Sequence, residues 1–153
     1  MKQKIESKSE TIEITSPFWK KWREKIYKEV IPYQWEVIND ERSIVTPYDP
    51  GEAANTQDIE PNYSHAVRNL KIAAGEEKGN FSGFVFQDSD VYKWLEEAAH
   101  CLVYTHDKKF QKQCDNLIDL IGKAQQPDGY LMTPFIIKTG RYKKRRRFAQ
   151  KSR

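Results

Sequence analysis

Residues 89–124 read SDVYKWLEEAAHCLVYTHDKKFQKQCDNLIDLIGKA, and the spacing of apolar positions inside this stretch decides the fold class. Val91, Trp94, Leu95, Ala98, Leu102 and Val103 stand at offsets 0, 3, 4, 7, 11 and 12. They fall on one face of a 3.6-residue repeat, which predicts a helix over 89–104. Phe110, Cys114, Leu117, Ile118 and Ile121 follow at offsets 0, 4, 7, 8 and 11 and predict a second helix over 109–124. So short a connection, 105–108, leaves the chain only one course, back along itself, so the pair reads as an antiparallel helical hairpin. Asp88 and Asp90 stand at the start of the first helix. Carboxylates there offset unpaired amides and the helix dipole, which accounts for them without an acid/base role.

The same reading extends upstream. Ser64 is placed to cap a helix over 64–74, lined by Val67, Leu70 and Ala74, with Gly75 at the left-handed C-terminal position. A glycine-containing turn over 76–83 and a brief extended apolar piece, Phe84-Val85-Phe86, lead from it to the hairpin. Ser16-Pro17 opens an earlier helix, with Phe18, Trp19, Trp22, Ile26, Tyr27 and Val30 on one face. Pro32 should end or kink it, with another turn or two continuing over 33–39. Residues 11–15 alternate polar and apolar like a short strand, and 1–10 read as a mobile, disordered polar leader. From 40 to 63 prolines and a glycine punctuate a polar loop. Downstream, Gln126-Pro127-Asp128-Gly129 is a turn signature, and 130–137 read as apolar and extended.

Composition bounds the function. The chain has 153 residues, enough for one domain, and its 4 Trp, 8 Tyr and 7 Phe argue against general disorder despite a mean hydropathy of −0.85. No apolar run approaches the ~20 residues of a membrane span, and the charged N-terminus has no apolar stretch behind it, which excludes a signal peptide. Two cysteines in such a chain read as free thiols in a reducing, cytoplasmic compartment. Nine of the 26 basic residues fall in 138–153, which has no acidic residue; the rest of the chain carries 17 basic against 22 acidic side chains. This basic tail, disordered or out of frame, supports an alternative reading: a helical binding module whose cationic tail contacts nucleic acid or an acidic partner. No basic face elsewhere backs it, which makes nucleic acid the weaker choice. His100, Cys101, His106 and Cys114 match no zinc spacing and read as structural residues. His65 reads as a surface or capping residue.

Four longer strings carry more information. Ser16-Pro17-Phe18-Trp19 leads to Ile31-Pro32-Tyr33-Gln34-Trp35; Asn69-Leu70-Lys71-Ile72-Ala73-Ala74-Gly75 closes the next helix. The string from Phe86-Gln87-Asp88 to Trp94-Leu95-Glu96 opens the hairpin, and Gln125-Gln126-Pro127-Asp128-Gly129-Tyr130-Leu131 ends it. In this order, over 11–137, they resemble glycoside hydrolase family 127, the β-L-arabinofuranosidases. The resemblance implies an all-α fold of helical hairpins in an (α/α)6 barrel, followed in the family by β-sandwich domains. With mean helices of ~11–12 residues, 153 residues supply only the first two hairpins or so, an incomplete barrel with exposed helix faces.

The resemblance further implies a retaining glycosidase. Its cysteine nucleophile is held by zinc with other cysteines and a glutamate, and a separate glutamate serves as acid/base. Those residues belong to later parts of the family's sequence; neither Cys101 nor Cys114 matches one. No catalytic or metal-ligating residue is therefore assigned in this chain, which is expected to be inactive alone. One position matches a family role: Gln34 resembles a residue that hydrogen-bonds the sugar, a task an amide suits because it both donates and accepts. Tyr33 and Trp35 either flank that pocket or belong to the core. After Ile137 the family's tryptophan-containing and His-Glu-Leu-Tyr segments are replaced by Lys138-Thr139-Gly140-Arg141 and basic sequence. The implied substrate of the longer enzyme is a plant-derived arabinofuranoside, and the implied partner is the missing C-terminal part of that enzyme.

Overall fold

A computed structural model describes residues 13–44 and 63–140. The leader over 1–10, most of the loop over 40–63 and the basic residues from 141 onward lie outside the described residues.

The first rod begins with α1 (Pro17–Lys25), passes through one π-helical stretch (Ile26–Val30) and continues as α2 (Ile31–Ile38). Pro17 opens it where a missing N–H costs nothing, but Ser16 makes no side-chain cap bond. Pro32 does not end the rod. Its ring removes an amide donor, and the ladder widens just before it, with the Ile31 N–H donating to the Ile26 carbonyl five residues back. Residues 13–15 form no strand: an alternating run needs a partner for its amides, and none of the described residues offers one.

Next comes α3 (Ala66–Ala74), whose N-cap is His65, not Ser64. Ser64 is buried just outside the helix and His65 takes a left-handed φ of 59°. At the other end Gly75 is left-handed, with its N–H on the Ile72 carbonyl and the Glu76 N–H on the Lys71 carbonyl, the C-terminal cap the sequence predicts. Asn69, fully buried in α3, holds the following connection: its amide donates to the Ser82 carbonyl at 2.8 Å and accepts from the Ser82 N–H at 3.3 Å.

The hairpin is formed by α4 (Asp88–Thr105) and α5 (Lys108–Ala124), joined only by His106 and Asp107. Asp107 caps α5, accepting from the Lys109 and Phe110 amides at 2.8 and 3.0 Å. The apolar stripes land mostly inside: Val91, Trp94, Ala98 and Cys101 from α4 meet Phe110, Cys114, Leu117 and Leu120 from α5 in one core, whereas Val103 and Ile118, which the spacing put on the same faces, lie at the stripe edges and are exposed. The segment 84–86 is not extended. It turns into α4 with all three side chains exposed, Phe84 and Phe86 stacking at 5.3 Å. The turn needs Gly83, at φ 90°, where a Cβ would lie 1.9 Å from the Gln87 side-chain oxygen.

The turn at 126–129 forms as predicted, with the Gly129 N–H on the Gln126 carbonyl. Beyond it the expected extended run is instead a short helix, α6 (Thr133–Thr139), ended by left-handed Gly140. Pro134 sits in its first turn, where proline is tolerated, and Ile136 and Ile137 are buried beside α3. Lys138 and Thr139 thus belong to a helix, not to the start of a tail. The described residues are all-α, and α3 lies at the centre, packed on α4, α5 and α6.

Candidate functional site

Gln34 lies on the second turn of α2, half-buried, on the wall of a cavity of about 350 Å³. Tyr33, Ser64, Asp90, Lys93 and Glu97 share that wall, so α2, the approach to α3 and one face of α4 converge on it. Three buried side-chain atoms lack a hydrogen-bond partner among the described residues: Gln34 Oε1, Tyr92 Oη and Thr105 Oγ1. A buried carbonyl oxygen without a donor is costly, by about 1–3 kcal/mol. Gln34 carries that cost beside an open cavity, lined also by Val37, Ile38, Ile44 and Trp94, where a ligand hydroxyl can relieve it. A larger concavity of about 700 Å³ between α3 and α5 is rimmed by Lys71, Lys109, Lys112 and Lys123 and holds no such orphaned atom.

The surroundings of Gln34 are fixed from both sides. Trp35 turns away from the cavity and packs against Trp94 at 4.9 Å with the rings inclined at 48°, and Trp94 Nε1 donates to the Ile31 carbonyl at 3.1 Å. Trp35 is therefore core, whereas Tyr33 is half-exposed on the cavity wall with the Arg42 guanidinium 5.1 Å from its ring. Asp40 ties the end of α2 to the start of α3. It accepts from the His65 N–H at 2.6 Å, and its other oxygen lies 2.8 Å from His65 Nδ1. Both residues are left-handed, at φ 62° and 59°, a conformation that costs about 1–2 kcal/mol per residue. This clasp fixes Ser64 on the cavity wall. Sequence reasoning missed it; the only signal was an Asp and a His at the two ends of the loop.

Asp88 is not the cap of its own helix. Its carboxylate accepts from the Thr133 N–H at 2.7 Å and the Thr133 hydroxyl at 2.6 Å, so it caps α6 from 45 residues away. Both carboxylates nevertheless stand in the first turn of α4, where the dipole reading places them, and Asp90 is half-buried there, 3.6 Å from Lys93.

The two cysteines are packing residues. Burial pushes the Cys101 thiol up, and the Tyr104 hydroxyl sits on its sulfur at 3.2 Å; burial pushes Cys114 up to about 11. A thiol held protonated is neither nucleophile nor metal ligand. Among the described residues no group of three His, Cys, Asp or Glu side chains could hold a metal ion, so these residues do not fit the zinc of the resemblance. No helix among them is long and apolar enough to cross a membrane.

Two tyrosines tie the first rod to the hairpin, and a third, Tyr92, is half-buried on α4 with its hydroxyl unpartnered among the described residues. The Tyr27 hydroxyl donates to Asp107 at 2.5 Å, and this bond, with burial, pushes its ionisation up to about 12. Tyr92 is raised to about 12 by burial and then by Asp88. Tyr104, donating to the Arg23 carbonyl at 3.1 Å, is raised chiefly by burial. Since the folded state holds these protons more tightly than the unfolded chain, their contribution is complete below about pH 10 and is lost as pH rises toward 12. Alkaline titration followed by phenolate absorbance and circular dichroism together should show three of the eight tyrosines ionising only as the helices melt. Reversible ionisation of all eight with the helix signal intact would contradict this.

Taken together, the described residues are an arc of helical hairpins around one core, with a sugar-sized cavity on it. The family described as "Beta-L-arabinofuranosidase, GH127 catalytic domain" matches residues 11–152. The chain belongs to this family, glycoside hydrolase family 127. It is 54% identical over 138 residues to a non-reducing end β-L-arabinofuranosidase of Bifidobacterium longum subsp. longum, a match covering 90% of this chain and 20% of that enzyme. Among solved structures it resembles a GH127 β-L-arabinofuranosidase from Geobacillus stearothermophilus T6, with TM-score 0.67 and 46% identity over 83% of this chain and 18% of the other. It also resembles the GH127 β-arabinofuranosidase BT3674, with TM-score 0.62 and 26% identity over 84% and 17%. The chain thus spans about a fifth of the length of the relatives it matches. The binding-module reading is not favoured, because the family match takes in the basic residues up to 152 as well.

Proposed function

We propose that the chain supplies one arc of the catalytic (α/α)6 barrel of a β-L-arabinofuranosidase, and that Gln34 binds hydroxyls of the terminal arabinofuranose. The observation that carries this reading is the orphaned Gln34 Oε1, buried on the wall of a cavity whose apolar lining is broken by a few polar side chains, in a chain of this family. The amide can accept from one sugar hydroxyl through Oε1 and donate to its neighbour through Nε2, a pairing that suits vicinal hydroxyls. Tyr33 offers a ring beside it for the apolar face of the sugar. Nucleophile, acid/base and zinc fall to the remainder of the enzyme, so the 153-residue chain alone has no turnover. The buried, unpaired thiols of Cys101 and Cys114 support a reducing, cytoplasmic setting.

The test replaces the matching 138-residue segment of the Bifidobacterium enzyme with the corresponding residues of this chain and assays release of arabinose. The chimera should be active, and Gln34→Ala in it should lower kcat/KM by up to about tenfold, the worth of one or two neutral hydrogen bonds. Unchanged kinetics in a folded Gln34→Ala chimera would remove Gln34 from the sugar site.

A further inference from the structure

The rod formed by α1 and α2 is finished at one end only. Ile31 and Ile38 of α2 are buried, but α1 buries no residue at all. Phe18 and Trp19 are each 60% exposed and Trp22 47%, although the three rings pack on one another in edge contacts at 5.0 and 6.4 Å. A groove of about 690 Å³ runs beside them, between α1 and the last turns of α4, floored by Ile26, Val103 and Tyr104. An apolar strip of this kind on a helix marks a surface meant to be covered.

Charge indicates what covers it. Lys20, Lys21, Arg23 and Lys25 flank the aromatic face of α1; Glu24 is held by Lys28 at 2.6 Å and Lys25 lies 3.9 Å from Glu29, while Glu13 and Glu97 stand on the groove wall, so the cationic excess sits on the α1 side with Lys20 and Lys21. Lys20 and Lys21 have no ion partner among the described residues. A second copy docking face to face would set these cations against each other. A partner with an apolar seam and acidic flanks would satisfy both features. The matched structures continue well past the shared arc, which is only 18% of the Geobacillus enzyme.

We infer that the Phe18–Trp19–Trp22 face of α1 is the seam at which the barrel closes, covered by a helical pair from the remainder of the enzyme that is apolar toward α1 and rich in Asp and Glu along its flanks. The inference rests on the barrel reading above. It goes beyond it by naming the closing surface and the chemistry of its partner.

The test compares hydrogen exchange and melting in the isolated chain and in the Bifidobacterium chimera. In the isolated chain the α1 amides should exchange rapidly; in the chimera they should be protected. Trp22→Ser and, separately, Lys20→Glu with Lys21→Glu should each lower the melting temperature of the chimera by several degrees and leave that of the isolated chain unchanged. An active chimera with an unprotected α1, or one indifferent to both variants, overturns the seam while leaving the barrel reading intact. A chimera that neither folds nor releases arabinose overturns the barrel reading and the seam with it. An isolated chain that dimerises with α1 protected, next to a chimera with α1 open, makes a second copy the occupant and overturns the inference as well.

Discussion

Trp94→Ala is expected to cost about 3–5 kcal/mol, the range for removing a large buried aromatic side chain. Trp94 sits where three elements meet: it packs tilted against Trp35 of α2, meets Phe110 of α5 edge-on at 6.0 Å, and donates its indole N–H to the Ile31 carbonyl. Alanine would open a cavity among all three and leave that carbonyl without the bond. A domain of this size is typically stable by only about 5–15 kcal/mol, so the loss is a large share of the total. Urea unfolding followed by far-ultraviolet circular dichroism measures it through the midpoint at unchanged slope. Trp94→Phe should recover most of the packing but not the hydrogen bond. A midpoint for Trp94→Ala within about 1 kcal/mol of the parent would mean that the α2–α4–α5 junction does not form as described.

The second large effect belongs to Asp88. Its carboxylate is buried and carries both polar groups at the start of α6. Asp88→Ala leaves the Thr133 N–H and hydroxyl as two buried donors without an acceptor, at about 1–3 kcal/mol each. Asp88→Asn is expected to recover much of the loss, because its oxygen can still accept from the Thr133 N–H while its amide nitrogen donates to the Thr133 hydroxyl, which rotates to accept. The damage should be local first, with the amides of α6 losing protection from exchange before those of α3 and α5. The double-mutant cycle with Thr133→Val isolates the hydroxyl: Asp88→Ala should cost less in the Thr133→Val background than in the parent. Equal costs in both backgrounds would show that the Asp88–Thr133 hydroxyl bond contributes nothing.

These two residues also mark how far the sequence could be read. Trp94 falls on the apolar stripe of α4, so its burial follows from a 3.6-residue period. The same is true of Leu70, Cys114 and Leu117, all buried where the stripes put them. Period and turn chemistry are local properties, and they gave the hairpin, the Gly75 cap and the turn at 126–129 without reference to the rest of the chain. Asp88 was legible only as a residue at a helix start. Its actual partner lies 45 residues on, in a segment whose apolar run looked extended because seven residues are too few to show a helical period. The helix of α6 exists because a distant carboxylate satisfies its first amide and α3 covers Ile136 and Ile137.

The candidate site divides in the same way. Gln34 could be singled out through the family resemblance of its string, and the neighbouring motif residues proved to be scaffolding: Trp35 packs against Trp94, Asn69 grips Ser82, and Gly75 ends a helix. What sequence could not reveal is the orphaned oxygen of Gln34, the cavity beside it, or the clasp of Asp40 on His65 that brings Ser64 to its wall. Each depends on groups from different elements arriving at one place.

The sequence by itself determined the helical class, the hairpin and the family, because periodicity and ordered strings are written into neighbouring residues. Only the tertiary structure decided which apolar stripes are covered. The stripes of α3, α4 and α5 and the aromatic face of α1 look alike as patterns, yet the first three bury most of their residues and the last buries none. The physical reason is that burial belongs to a pair of surfaces, and a single helix carries only one of them.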